Sequence, residues 1–337
     1  MARQDKLDAD IDRGFTALED GRVNDAAELL ARVQKVDANS PDVVTLAAAV
    51  ADAQGDSEAA LGHYRTLAEL RPDDPMPRVC IARILLQDQG DADGALEAVE
   101  MAFDFIDEEE DLIEAVIVRT EALLALGDPE SAQESLAELS TSVIEDPDLA
   151  LDLGELALLA EDPAGARRWI EIARKEKRLA ADALHLLGRV HEAEGDRAAM
   201  VAAWQEVRAL DKQAPPPQVT ISEDELDRLA TAALDELPAD VRAKLERAPI
   251  LIDDLPSEDM VAEGLDPRML GVFSGTPMPE GGELAPAVTN IHLFKTNLER
   301  AAQDLDHLAE EVRITVLHET AHYFGLDEED LEAIGLD

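Results

Sequence analysis

Near its C-terminal end the sequence reads His318-Glu319-Thr320-Ala321-His322-Tyr323-Phe324-Gly325. Two histidines four residues apart lie one turn apart on a helix, so both imidazoles can reach one tetrahedral cation such as Zn²⁺. Glu319 directly follows the first histidine and projects beside such an ion. There a carboxylate can take a proton from water that the metal has acidified. The chemistry this spacing serves is hydrolysis. The run Glu311 to Leu317 leads into the motif and places Ile314, Leu317, Ala321 and Phe324 in an i, i+3, i+7, i+10 stripe. That pattern predicts a helix burying one face, with the histidines on a neighbouring face. Gly325, which adopts positive φ at little cost, predicts the helix end.

A hydrolytic zinc site needs a third protein ligand, so that the fourth position can hold water. The metzincin pattern HExxHxxGxxH puts it three residues after the glycine, and here that residue is Glu328. Its carboxylate is the first choice. Asp327 and Glu329 flank it as alternatives, and His292 is the outside candidate. Asp327 also reads as the N-cap of a last short helix through Leu331 and Ile334.

The last ~110 residues resemble the minimal zincin-like metallopeptidase family of bacteria. The residues that carry the resemblance are the run Glu310 to Gly335, the segment Ile291 to Leu298, Gly264-Leu265-Asp266-Pro267, and Leu270-Gly271-Val272-Phe273. It implies His318 and His322 as ligands, Glu319 as general base and an acidic third ligand after the glycine. The sequence departs from relatives in two ways. There is no Met-turn, and Tyr323 stands where many family members have histidine.

Further upstream the sequence repeats. Gly21, Gly55, Gly90, Gly127, Glu161 and Gly195 recur at intervals of 34, 35, 37, 34 and 34 residues. Asp56, Asp91, Asp128, Asp162 and Asp196 follow five of them directly. Small residues such as Ala26-Ala27 and Ala59-Ala60 open the helical run behind each mark, and another apolar-periodic helix lies ahead of it. Helix, turn, helix at this period resembles the tetratricopeptide (TPR) repeat. Pro41, Pro75 and Pro147 fall where one repeat hands over to the next. Residues 1–212 therefore read as an α-solenoid of about six degenerate TPR-like helix pairs, with the consensus aromatic positions largely aliphatic or alanine. The resemblance implies a groove for a protein or peptide partner; the alternative is a spacer or dimerisation arm.

Pro215-Pro216-Pro217 stiffens a linker at 213–220, and 221–337 reads as a small α+β domain. In it, Ser222 and Glu225 form a capping box opening a helix to Leu237, and Pro238 starts a second helix to Glu246. Strand-like stretches follow at Ile250–Ile252, Met269–Phe273 and Ala287–Phe294. The last of these is the expected substrate-binding edge strand, with His292 on it as a possible oxyanion partner. The breaker-rich loop Ser274–Gly282 is expected to rim the site. The expected fold is thus mostly α: a solenoid, then a zincin-like domain.

Composition excludes several classes. Asp and Glu number 76 against 29 Lys and Arg, a net charge of −47, which argues against nucleic acid and favours basic partners. No stretch is long and apolar enough to span a membrane. The N-terminal residues lack the apolar core of a signal peptide, and the one cysteine, Cys80, reads as a small buried residue. Cytoplasmic location is the expectation. Two functions remain. One is a zinc peptidase whose repeats recruit substrate, or whose own chain is the substrate; the other is a TPR scaffold with a structural or inactive zincin-like domain.

Overall fold

The computed structural model describes residues 2–237, 249–274 and 290–323. The chain divides into two compact units, Met1–Ala173 and Arg174–Asp337.

The first unit holds five antiparallel helix pairs: α1 (Ala2–Glu19) with α2 (Val23–Asp37), α3 (Pro41–Ala53) with α4 (Ser57–Leu70), α5 (Met76–Gln89) with α6 (Ala92–Phe103), α7 (Glu109–Ala125) with α8 (Pro129–Ala137), and α9 (Pro147–Leu159) with α10 (Pro163–Ala173). The expected turn closes each pair. Gly55 adopts φ +72°, and Asp56 behind it accepts a hydrogen bond from the Ala59 amide at 3.0 Å, capping the next helix. Asp91, Asp128 and Asp162 cap in the same way. The residue five places after each mark is wholly buried: Ala26, Ala60, Ala95, Ala132 and Ala166. Small side chains there let paired helices approach, which is how the repeat tolerates so few aromatics. Pro41, Pro75 and Pro147 stand at the N-terminal ends of α3, α5 and α9, the predicted handovers. Cys80 on α5 is half-buried, less enclosed than expected, and burial pushes its thiol pKa up.

Glu161 occupies the glycine position of its turn and is the one non-glycine residue with positive φ, +57°, among the described residues. An L side chain in that conformation costs about 1–2 kcal/mol. Glycine returns about 0.4–1 kcal/mol of that through its freer unfolded chain. Glu161→Gly is therefore expected to stabilise the unit by about 0.5–1 kcal/mol, read as a higher urea midpoint.

The second unit begins with a sixth pair, α11 (Ala180–Ala193) and α12 (Arg197–Asp211), whose Asp196 cap repeats the motif. These helices meet so closely that a Cβ at Gly188 would fall 2.0 Å from Trp204 Nε1. α13 (Glu223–Asp235) follows, capped by Ser222 Oγ accepting from the Glu225 amide. Then come β1 (Ile250–Asp253), α14 (Glu258–Ala262), β2 (Gly271–Ser274), β3 (Asn290–Phe294), α15 (Lys295–Ala301) and α16 (Leu305–Tyr323). The fold is the expected one, mostly α with a small α+β portion carrying one three-stranded sheet.

Strand order is β1-β3-β2, with β1 parallel and β2 antiparallel to β3. The stretch expected to be an edge strand is therefore the central one. β3 pairs on both sides, and Ile291, Leu293 and Phe294 are at most 1% exposed, so among the described residues β2 and β1 form the edges. One sheet face packs on α13 and α16 through Ile291, Leu293, Leu226, Ala230, Val312 and Val316. The predicted helix at Pro238–Glu246, the loop beyond Ser274, and Phe324, Gly325 and the terminal helix lie outside the described residues.

Candidate metal centre

α16 carries the motif, as the sequence led us to expect, but its packing face differs. The residues that enter the sheet core are Leu308, Val312 and Val316, at i, i+4, i+8. Leu317 and Ala321 are buried too, while Ile314 is only half-buried. In its second half the helix is enclosed on more than one side, so an apolar stripe there does not pick out the core face.

His318 and His322 are half-buried and turned towards each other. Their Nε2 atoms lie 3.0 Å apart, and the rings meet edge-on with centroids 4.7 Å apart. A tetrahedral zinc with two imidazole nitrogens at ~2.0–2.1 Å holds those nitrogens about 3.3 Å apart, so the pair fits one shared ion. Two soft-to-borderline nitrogen donors with a neighbouring carboxylate also suit zinc chemically. Among the described residues no third His, Cys, Asp or Glu joins them. Glu328, Asp327 and Glu329 lie outside the described residues.

Glu319 is 6% exposed. Its Oε2 accepts a hydrogen bond from the Phe273 amide at 2.5 Å, a link that no local pattern of residues announces. Phe273 lies on β2, so the carboxylate is anchored to the backbone of an edge strand. Close packing makes this possible. A Cβ at Gly271 would sit 2.6 Å from Thr315 Cγ2, 3.0 Å from the His292 carbonyl oxygen and 3.4 Å from Glu319 Cγ. Glycine at 271 is what lets β2 lie directly against α16.

His292 is not brought to the pair. Strand alternation puts Ile291 and Leu293 on the α16 side and His292 on the other. There its Nδ1 lies 2.9 Å from Asp253 Oδ2. Tyr323 is the last described residue of α16.

The described part of the site is thus a helix bearing two converging histidines and a buried carboxylate lodged against a short mixed sheet. Residues 245–336 match the zincin-like metallopeptidase family. No curated protein matches the chain. Among solved structures, one described as PilW, a widely conserved type IV pilus biogenesis factor, aligns with 14% identity and a TM-score of 0.50, covering 60% of this chain and 92% of that one. A Pseudomonas aeruginosa PilF structure aligns with 19% identity and a TM-score of 0.52, covering 62% and 94%. A thermophilic TPR protein from Thermus thermophilus aligns with 19% identity and a TM-score of 0.43, covering 56% and 98%. The chain joins TPR-like repeats to a zincin-like domain. Among the described residues no helix is long and apolar enough to cross a membrane.

Proposed function

We propose that the chain is a zinc-dependent peptidase of the cytoplasm whose repeats bring a protein substrate or partner to the zincin-like domain. The observation that carries this reading is the convergence of His318 and His322 Nε2 at 3.0 Å beside the buried Glu319. In this reading His318, His322 and Glu328 hold the metal, with Asp327 and Glu329 as the flanking alternatives. Bound zinc supplies Lewis acidity and a water acidified towards neutrality. Glu319 takes the proton of the attacking water on a carboxylate oxygen and passes it to the leaving amine. The anchor to Phe273 fixes where that carboxylate can stand. As an edge strand on the α16 side, β2 can lay out an extended substrate by backbone pairing. A net charge of −47 favours basic partners.

The second reading is a TPR scaffold with a structural or inactive C-terminal domain. It is favoured by the same Glu319–Phe273 bond, which gives the glutamate a structural use of its own. The two separate on one experiment. The full chain is incubated with Zn²⁺ and a mixture of denatured proteins, and new peptide termini are counted by mass spectrometry. Cleavage that a chelator abolishes and added Zn²⁺ restores is the expected result. Absence of any chelator-sensitive cleavage sinks the peptidase reading.

A further inference from the structure

The turn in front of β2 is tied to the rest of its unit by more polar side chains than a loop of its length requires. Asn297, 4% exposed, donates from Nδ2 to both the Pro267 and the Met269 carbonyl oxygens, at 2.9 and 2.7 Å. Arg268 reaches the other way, to the sixth helix pair. Its Nη1 donates to Asp182 on α11 at 2.7 Å. Its Nε and Nη2 fork onto the carboxylate of Asp211, the last residue of α12, at 3.0 and 3.2 Å. Asp211 is 7% exposed, and its carbonyl oxygen also accepts from Arg300. Next to Arg268, the Asp266 carboxylate accepts from the Arg268 amide and lies 2.8 Å from His185 Nε2 on α11. Burial would raise the Asp266 pKa, but the bond and charge of His185, with the Arg268 amide and charge, outweigh it and hold the carboxyl below the usual range.

These contacts continue along α12. Arg208 on α12 donates to the Pro256 carbonyl oxygen and to Glu258, and Arg197 to the Glu263 carbonyl oxygen. Met200 and Trp204 form a small core with Val261. Gly271, where β2 begins, is the third residue after Arg268, about 10 Å of extended chain away. A two-carboxylate fork holds a guanidinium in direction as well as in place, which an apolar contact would not. Net stability is the lesser part of what such a half-buried ion pair contributes.

We propose that Arg268 is a positioning residue for β2. Gripped by Asp182 and Asp211, it holds the edge strand in register against α16, where the Phe273 amide meets Glu319. The pair α11–α12 thus acts as the buttress of the peptidase site and not as a sixth partner-recruiting repeat. This assignment rests on the peptidase reading for its catalytic meaning, and on geometry alone for its effect on the strand.

The test uses the full chain with Arg268→Ala, Arg268→Lys and the milder Asp182→Asn. Hydrogen exchange of the 271–274 amides is expected to rise about tenfold or more in Arg268→Ala, and by less in the other two, with the amides of 312–320 unchanged. Where cleavage is measurable, KM is expected to rise and kcat to fall, each about tenfold, since a loosened strand misplaces substrate and slackens the Phe273 anchor of Glu319. Unchanged exchange at 271–274 in both Arg268→Ala and Asp182→Asn overturns the proposal. So does a rise spread evenly over α16, which would make Arg268 a general prop of the fold. Raised strand exchange in a chain that never cleaves supports the strand assignment and sinks only the peptidase reading.

Discussion

Glu319→Gln is expected to slow peptide-bond hydrolysis by about 10²–10⁴-fold, the usual contribution of a general base, while the thermal transition stays where it was. The amide is nearly isosteric with the carboxylate and keeps an oxygen that can accept from the Phe273 amide, so the anchor of β2 survives. What it loses is the capacity to take a proton. Glu319→Ala removes both functions at once. It strips the Phe273 N–H of its acceptor beside a helix packed tightly enough to exclude a side chain at Gly271, at a cost of about 1–3 kcal/mol. The two variants should therefore share inactivity and differ in stability. A Gln variant retaining rates within about twofold of wild type would remove Glu319 from the role of base, because a lost general base costs at least ~10².

His318→Ala and His322→Ala are each expected to abolish stable zinc binding, from about one ion per chain to a trace by elemental analysis. Losing even an outer hydrogen-bond partner of a metal ligand costs ~10–100-fold in affinity, and losing a ligand itself costs more. A thermal readout makes the point independently of activity. Free Zn²⁺ at 100 times its Kd should stabilise wild type by about 2.7 kcal/mol, a rise of roughly 5–10 °C in the transition of this unit, and neither variant should respond. A bare hydrogen bond between the two rings, at 3.0 Å, would instead be worth about 0.5–1.5 kcal/mol and show no dependence on zinc. Equal zinc response in wild type and both variants would dismiss the pair as ligands.

Whatever depends on neighbours a few residues apart is legible in the sequence. The His318–His322 spacing converges on α16 because an α-helix returns to the same side after four residues, whatever surrounds it. The repeat turns were readable for the same reason. Gly55 needs only its own φ, Asp56 needs only the amide three residues on, and even Glu161 declared its left-handed position by standing in the glycine register. Tertiary structure alone decided which strand is central, which face of the sheet receives α16, and therefore that His292 turns away towards Asp253. It alone brought Phe273 to Glu319 across 46 residues, and Arg268 to Asp182 across 86. Such pairings follow from how apolar faces of distant segments are buried together, here Ile291 and Leu293 against Val312 and Val316. Local periodicity marks each of those faces without saying which other face will cover it.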